Sequence, residues 1–198
     1  MELIGLKKKL ITAKRGHKLL KEKRDGLMKE FMAIIRQVKA LREIIEENLG
    51  KGFKAFLFAS AEMGQSEIEQ ALYLPSKEIS LRAKTKNIMS VNVPVFEYEE
   101  KGHFLSYGLS SSSSLLDLSL NIFSDSLKEL VSLAQREHSA KLMAEEIEKT
   151  RRRVNALEYV FIPDMQETIK YITNKLNEQE RAAIITTMKV KKEIESRE

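Results

Sequence analysis

The chain has 198 residues, of which 32% are charged, 7% are aromatic and none is cysteine or tryptophan. Such a length fits one ordinary domain or one long extended object, and the composition is typical of long helices rather than sheets. Without cysteine the chain forms no disulfide and has no thiolate nucleophile. The three histidines at positions 17, 103 and 138 lack the spacing of metal ligands, so the sequence predicts no metal or cofactor site.

The first half of the chain carries a heptad pattern. Its spacing alternates between three and four residues over fourteen positions, of which eleven are apolar: Leu3, Leu6, Leu10, Ala13, His17, Leu20, Arg24, Leu27, Phe31, Ile34, Val38, Leu41, Ile45 and Asn48. A straight helix drifts off a seven-residue period by about 20° per heptad, so this run predicts a supercoiled helix pair. At about 1.5 Å per residue, residues 3–48 would span roughly 70 Å. We assign residues 1–75 to an N-terminal helix.

Two polar residues, His17 and Arg24, interrupt this apolar seam. Either their long side chains reach solvent at a frayed helix end, or they fix the register of the helix pair, as buried polar residues do in other coiled coils. Three glycines, Gly5, Gly16 and Gly26, each cost about 1 kcal/mol relative to alanine inside a helix. They are either simply tolerated or allow another surface to approach the helix backbone.

Residues 76–114 change from a helical to an alternating pattern, which predicts a small head with a β-hairpin. Val91, Val93 and Val95 fall on one face of a strand, and Pro94 confines that strand to a sheet edge. The sequence places the hairpin turn at residues 100–102, between strands at residues 95–98 and 103–107.

Five consecutive serines, residues 110–114, form a joint after the predicted hairpin. Ser114 with Asp117 three residues later matches a helix N-terminal cap. A second long helix is therefore predicted over residues 115–198.

The seam pattern of this second helix is less regular. It begins at Leu116, Leu120, Phe123, Leu127, Leu130 and Ala134, and after a polar stretch over residues 137–153 it resumes at Val154, Leu157, Phe161, Met165, Ile169, Ile172, Leu176, Gln179, Ala183 and Val190. Around Phe161 the four-residue spacing repeats, a stutter that locally unwinds a supercoil. Pro163 has no N–H to offer the carbonyl of Tyr159, so we expect a kink or short break there.

These patterns predict a mainly α fold. The N- and C-terminal halves form a long antiparallel two-helix coiled coil, with the β-hairpin head in the middle of the chain. A single connection joins the two helices, which is why they must be antiparallel. Both termini are then expected at one end of a rod and the head at the other.

Basic residues are concentrated in two places. Residues 1–30 hold ten Lys or Arg against four Asp or Glu, and Arg151, Arg152 and Arg153 form a second group. They are either solvated helix faces or contacts for an acidic protein partner or a nucleic-acid backbone. No phosphate-binding loop or nucleophile–base pair is recognisable. The longest small-or-apolar run, residues 55–61, is too short to cross a bilayer. The sequence therefore predicts a non-catalytic protein that acts through its surfaces, without membrane insertion.

Three segments resemble the D subunit of the vacuolar-type and archaeal-type rotary ATPases. They are "LKKKLITAKRGHKLLKEKRDGLMKEF" at residues 6–31, "NIMSVNVP" at residues 87–94 and "TRRRVNALEYVFIP" at residues 150–163. The resemblance runs from the first residues to about residue 192. It implies a central rotor shaft whose terminal end enters the bore of a hexamer of catalytic A and B subunits. The F subunit would bind alongside, and a funnel-shaped C subunit would link the shaft to the membrane proteolipid ring.

The resemblance also implies a cytoplasmic location, peripheral to the membrane, and no catalysis by this chain. Contacts with the hexamer bore are then expected at Lys7, Lys14, Arg15, Lys18, Lys21, Arg151, Arg152 and Arg153. Seam contacts are expected at Leu10, Leu20, Leu27, Phe31, Val38, Leu157, Ile172 and Leu176. The alternatives are a non-rotary coiled-coil scaffold or adaptor, and a basic rod that binds nucleic acid. The last is disfavoured because the chain lacks aromatic or arginine-rich platforms for bases.

Overall fold

A computed structural model describes residues 2–74, 76–103, 107–108 and 112–196. The elements in chain order are α1 (Glu2–Met63), α2 (Gln65–Leu72), β1 (Glu78–Ile88), β2 (Val91–Lys101), α3 (Ser114–Ala156), a π-helical turn (Leu157–Phe161) and α4 (Ile162–Glu195). The described chain is thus mainly helical, with long helices from both halves and an antiparallel hairpin between them. The predicted fold class is confirmed.

The chain divides into two compact units, each of which draws on both halves of the sequence. The terminal unit comprises Met1–Asp25 and Glu148–Glu198, and the central unit comprises Gly26–Ile147. Each unit therefore combines a segment of α1 with a segment that follows the hairpin.

The heptad pattern of α1 corresponds to its burial. All fourteen seam positions between Leu3 and Asn48 are buried or partly buried, whereas most of the residues between them are exposed. In the central unit Leu27 is 0% and Ile45 2% exposed. The seam continues beyond the predicted positions, because Gly52, Ala55 and Ala59 are also buried.

Within the central unit α1 and α3 are antiparallel. As the residue number rises along α1, the number of the residue that it contacts falls. Arg42 Nη2 lies 2.6 Å from Glu137 Oε1, and the rings of Phe53 and Phe123 are 5.2 Å apart. Near the end of α1, Glu62 Oε2 accepts a 2.5 Å hydrogen bond from Ser113 Oγ. α3 packs closely on α1 at Gly52, since a Cβ there would be 3.1 Å from Ile122 Cγ2 and from Phe123 Cε1. The glycine allows the two helices to pack at this distance.

The seam of α3 differs from the predicted one. Ser119, Ser126 and Leu133 are buried, whereas the predicted neighbours Leu120 and Leu127 are only partly buried and Ala134 is exposed. Serine is polar, so an apolar pattern does not find it, but its small side chain fits a close helix contact. Two buried serines are satisfied by their own helix: Ser119 Oγ donates to the Leu116 carbonyl at 2.8 Å and Ser139 Oγ to the Gln135 carbonyl at 2.7 Å. The stretch expected to be polar also buries Ala140, Met143, Ile147 and Thr150.

The hairpin turn lies at Met89–Ser90, so its predicted position at residues 100–102 is wrong. β1 pairs with β2 from Ile88↔Val91 at the turn to Glu78↔Lys101 at the open end. Both turn residues have positive φ angles, 50° and 71°, and the Asn87 side chain accepts the Ser90 N–H at 3.0 Å. This side-chain bond stabilises a turn that lacks the usual glycine. Most of the predicted strand at residues 103–107 lies outside the described residues.

Gly102 has a different role from the one predicted. Its φ is +87°, and a Cβ at this position would lie 2.1 Å from the Ser76 carbonyl oxygen. Only glycine fits, because the backbone closes against the segment that precedes β1.

The valine face of β2 packs on the helices of the central unit. Val91 and Val93 are 7% and 3% exposed and form one core with Leu27, Met143 and Ile147. At the hairpin tip Met89 Cε would lie 2.7 Å from a Cβ at Gly26. Gly26 therefore allows the close approach considered from the sequence, whereas Gly5 and Gly16 face open space.

The N-terminal cap of α3 is Ser113 rather than the predicted Ser114. Ser113 Oγ accepts the Leu115 N–H at 3.3 Å, and its carbonyl accepts the Leu116 N–H at 3.0 Å. Asp117, the predicted second half of the cap, instead accepts a 2.5 Å hydrogen bond from the Tyr107 hydroxyl. Several consecutive serines could each cap the helix, so the sequence alone does not fix which of them does.

A π-helical turn connects α3 to α4 in the terminal unit. The Ile162 N–H donates to the Leu157 carbonyl, five residues back instead of four. Pro163 follows directly, and it has no N–H for the Tyr159 carbonyl. The widened turn thus lies beside the proline where the sequence predicts an interruption, and π turns of this kind are often found at functional sites.

Candidate partner-binding surfaces

The predicted basic contacts of α1 lie on its surface in the terminal unit. All five side chains are exposed: Lys7, Lys14, Arg15, Lys18 and Lys21. Within the described part of the chain none of these five forms an ion pair. Their charges are therefore available to a partner, and their role as hexamer contacts stays a prediction.

The arginine group near the end of α3 is exposed as well. Arg151, Arg152 and Arg153 all face solvent, and Arg152 forms an i,i+4 ion pair with Glu148 on the same helix. Exposed pairs of this kind contribute only about 0–1 kcal/mol. Arg152 can therefore exchange this carboxylate for one on a partner at little cost.

The predicted seam residues differ in burial. In the central unit Leu27 is fully buried, and Phe31 and Val38 are partly buried. In the terminal unit the residues that are partly buried are Leu10, Leu20, Leu157 and Ile172, whereas Leu176 is 43% exposed. The described part of α4 beyond Thr173 is exposed throughout, including Ile184, Ile185, Met188 and Val190. A seam role for Leu176 stays a prediction.

The two polar seam residues of α1 make different contacts. His17 Nε2 lies 3.4 Å from Glu158 Oε2 across the terminal unit, and the His17 side chain is only 20% exposed. Arg24 turns to its neighbour Asp25, with Nη2 2.8 Å from Oδ1. The contact of His17 ties α1 to the start of the π turn, which favours the register role over simple escape to solvent.

An exposed apolar triplet on the π turn was not found from the sequence. Tyr159, Val160 and Phe161 are 72%, 60% and 50% exposed. Phe161 was predicted as a seam residue, because a strict heptad count does not include the extra residue of a π turn. Three consecutive exposed large side chains make this turn a second candidate for partner contact.

A polar network anchors the open end of the hairpin in the central unit. Lys77 Nζ donates to Ser124 Oγ at 2.5 Å and lies 2.9 Å from Glu100 Oε2. Burial raises the pKa of Tyr98 to about 12, and the interaction with the Glu100 carboxylate adds to the rise. The Tyr98 hydroxyl and the Lys77 ammonium together lower the pKa of Glu100. The network holds the end of β2 against α3.

The outer strand of the hairpin is an open surface of the central unit. Nine of the eleven residues of β1 are exposed, whereas β2 is buried or partly buried over most of its first eight residues. β1 carries Arg82, Lys84 and Lys86 on one face and Ile79 and Leu81 on the other. The sequence did not predict this surface, since the hairpin was placed further along the chain.

Comparison with known proteins identifies the sequence family of this chain. A sequence model of the family described as the ATP synthase D subunit matches residues 2–192. The chain belongs to the ATP synthase D-subunit family. All three segments that carry the resemblance, at residues 6–31, 87–94 and 150–163, lie inside the match, so the resemblance is confirmed.

Curated members of the family are similar over almost their whole length. A protein of Thermoanaerobacter sp. (strain X514) is 48% identical over 193 residues, which cover 96% of this chain and 92% of the relative. One from Clostridioides difficile (strain 630) is 50% identical, covering 96% and 87%, and one from Clostridium botulinum (strain ATCC 19397 / Type A) is 47% identical, covering 100% and 94%. Each relative is named as the D subunit of a V-type ATP synthase. In the described part of this family member, no helix is long and apolar enough to span a bilayer.

Proposed function

We propose that this chain is the central-stalk rotor component of a V-type ATP synthase. In this role it has no catalytic site and transmits torque between a hexamer of A and B subunits and a membrane-embedded proteolipid ring. The observation that carries the proposal is the family match over residues 2–192, together with relatives named as the D subunit over 87–94% of their own length.

The two long helices are suited to torque transmission. A shaft must resist twisting, and a helix pair does so when apolar side chains interlock along its length. The seam of α1 is continuous from Leu3 to Asn48. Close packing at Gly52 and the ring contact between Phe53 and Phe123 extend this pairing along the central unit. A twist applied to one helix is then carried to the other by many small contacts.

The basic side chains of the terminal unit are proposed to face the bore of the hexamer. Lys14, Arg15 and Lys18 are exposed and lack an ion pair within the described chain. Each exposed ion pair with the bore would contribute about 0–1 kcal/mol. Such contacts suit a rotor that must release one set of partners at every step. Arg151, Arg152 and Arg153 are proposed to act in the same way.

The remaining partners follow from the same assignment. The F subunit is proposed to bind alongside the helices, and the C subunit to connect the end remote from the hexamer to the proteolipid ring. The chain would then be a peripheral component on the cytoplasmic side of the membrane, without inserting into it. ATP hydrolysis or synthesis would take place in the hexamer, coupled to ion transport through the ring.

Reconstitution tests the proposal. Purified A/B hexamer is mixed with this chain, and the complex is analysed by size-exclusion chromatography with mass measurement. One copy per hexamer is expected, with no ATP hydrolysis by the chain alone. Adding the C subunit and the membrane sector should then make ion transport depend on this chain. A chain that fails to enter the hexamer, or that binds in three or six copies, would instead be a scaffold or adaptor.

A further inference from the structure

The two edges of the hairpin differ in accessibility. The edge of β2 is covered by the helices: the Phe96 N–H donates to Gln135 Oε1 at 2.9 Å, and Val91 and Val93 are buried against α1 and α3. β1 has no neighbouring strand other than β2 among the described residues, and nine of its eleven residues are exposed. Its outer N–H and C=O groups therefore face solvent, which is the arrangement that accepts an added strand.

The side chains of β1 define what can pair with it. Arg82, Lys84 and Lys86 lie on one face, and Ile79 and Leu81, which are 41% and 49% exposed, lie on the other. Lys84 Nζ contacts Glu97 Oε1 of β2 at 2.5 Å, whereas Arg82 and Lys86 form no ion pair within the described chain. An added strand would therefore need acidic residues at alternate positions for the basic face and apolar residues between them for the other.

β2 gives an example of such a pairing. It carries Glu97 opposite Arg82 and Glu99 opposite Ser80 in the observed register, so a partly acidic strand already occupies the inner edge of β1. Opposite charges on directly paired residues stabilise a sheet, and like charges destabilise it. An acidic strand on the outer edge would extend the same complementarity.

A second copy of this chain is a poor occupant of the edge. In half of the possible registers between two β1 strands, the cations at positions 82, 84 and 86 would oppose one another. In the other half they would share a face with Ile79, Leu81 and Ala83 of the second copy. The one carboxylate of β1, Glu78, is outnumbered by three cations in the first arrangement and lies on the opposite face from the other copy's cations in the second. Lysines on an edge strand also commonly prevent self-association. The charge pattern therefore favours a different, acidic partner.

We propose that the outer edge of β1 is a docking site for an extended segment of a partner protein that alternates acidic and apolar residues and adds to the hairpin as a third strand. This inference does not depend on the proposed rotor function, since the site is complete within the central unit. Its experiment uses the full chain alone, so its failure would leave the rotor assignment intact.

The probe is an acetylated and amidated eleven-residue peptide in which glutamate alternates with valine. Titrated into the full-length chain at low ionic strength, it should bind with one-to-one stoichiometry. Amide hydrogen exchange should slow at alternate residues of β1 and stay unchanged in β2 and α3. Added salt should weaken the binding, because the charge pairs are exposed.

Three controls distinguish strand addition from general charge attraction. A peptide with the same sequence but N-methylated at every residue keeps its charges and cannot form a strand, so it should not bind. The variant Arg82→Glu/Lys84→Glu/Lys86→Glu should lose affinity by roughly tenfold or more, because several cross-strand charge pairs are reversed. The matched variant Arg36→Glu/Lys39→Glu/Lys54→Glu reverses three exposed charges of α1 in the same unit and should bind nearly as well as the wild type.

If the triple change disrupts the hairpin, the single variant Lys86→Glu measures instead how much the basic face contributes to peptide affinity. Lys86 lies opposite Val93 and has no ion pair within the described chain, so its reversal should weaken binding while the hairpin remains folded. Equal binding of the methylated peptide, or equal loss in the two triple variants, would overturn the proposal. Absence of binding at low salt would do so too, and would leave the cations as protection of the edge alone.

Discussion

The contact between α1 and α3 at Gly52 can be tested with two glycine substitutions in one helix. Gly50 is exposed, and a Cβ added there would have nothing within 4 Å, whereas at Gly52 a Cβ would lie 3.1 Å from both Ile122 and Phe123. Alanine gains about 1 kcal/mol over glycine in a helix interior at either position. At residue 52 the added methyl also overpacks the interface, at a cost of about 1–3 kcal/mol.

Gly50→Ala should therefore stabilise the chain by up to about 1 kcal/mol, and Gly52→Ala should be neutral or destabilising by up to about 2 kcal/mol. For a chain of this length each kcal/mol shifts the melting temperature by about 2–4 °C. Urea and thermal unfolding followed by far-ultraviolet circular dichroism measure both variants beside the wild type. If Gly52→Ala stabilised the chain as much as Gly50→Ala does, α1 and α3 would not pack closely at this point.

Three further predictions concern charge, pH and shape. Neutralising Lys14, Arg15 and Lys18 together to glutamine should weaken assembly with the A/B hexamer, increasingly as salt is lowered, with melting of the chain almost unchanged. The same change at the exposed Arg36, Lys39 and Lys54 is the control, and equal binding by both variants at low salt would make the basic group a solvated face only. The raised pKa of Tyr98 means that the folded chain keeps a proton that the unfolded chain loses above about pH 10, so stability should fall as pH rises towards about 12. Tyr98→Phe should lose less stability over this range than the wild type. As a control, Tyr73→Phe, at an exposed position, should lose as much as the wild type. Equal losses in the wild type and Tyr98→Phe would contradict the claim that burial raises the pKa of Tyr98. Small-angle scattering should give a radius of gyration well above the ~16–17 Å of a compact chain of this length, and a value in that range would contradict the elongated coiled coil expected from the sequence.

The N-terminal helix was predictable from the sequence because its seam is marked by large apolar side chains. A long seven-residue period leaves few alternatives to a supercoiled pair, and even the polar positions His17 and Arg24 lie where the period places them. The seam of α3 was predicted less well, since Ser119 and Ser126 fill positions that an apolar pattern assigns to neighbouring leucines. Small polar residues are found at such contacts because of their size, which hydropathy does not record.

The hairpin turn and the helix cap depend on contacts that no single pattern contains. Met89 and Ser90 form a turn with positive φ because the Asn87 side chain bonds to the backbone, and Met89 packs on Gly26 from a distant part of the sequence. Gly102 looks like a hairpin turn residue, but its conformation serves the close approach of the Ser76 carbonyl.

Of the candidate surfaces, the basic residues could be identified from charge alone. The exposed apolar residues of the π turn could not, because a strict heptad count assigns Phe161 to the seam. The open edge of β1 could not either, because its recognition required the correct pairing of the two strands.

Single-molecule rotation tests the proposed function most directly. The chain contains no cysteine, so the variant Glu69→Cys on the exposed side of α2 gives one attachment point for a bead or gold particle. With the A/B hexamer immobilised on a surface and ATP added, the particle should rotate in one direction in discrete steps. A particle that stays fixed while the same hexamers hydrolyse ATP would contradict a rotor and would favour a static scaffold.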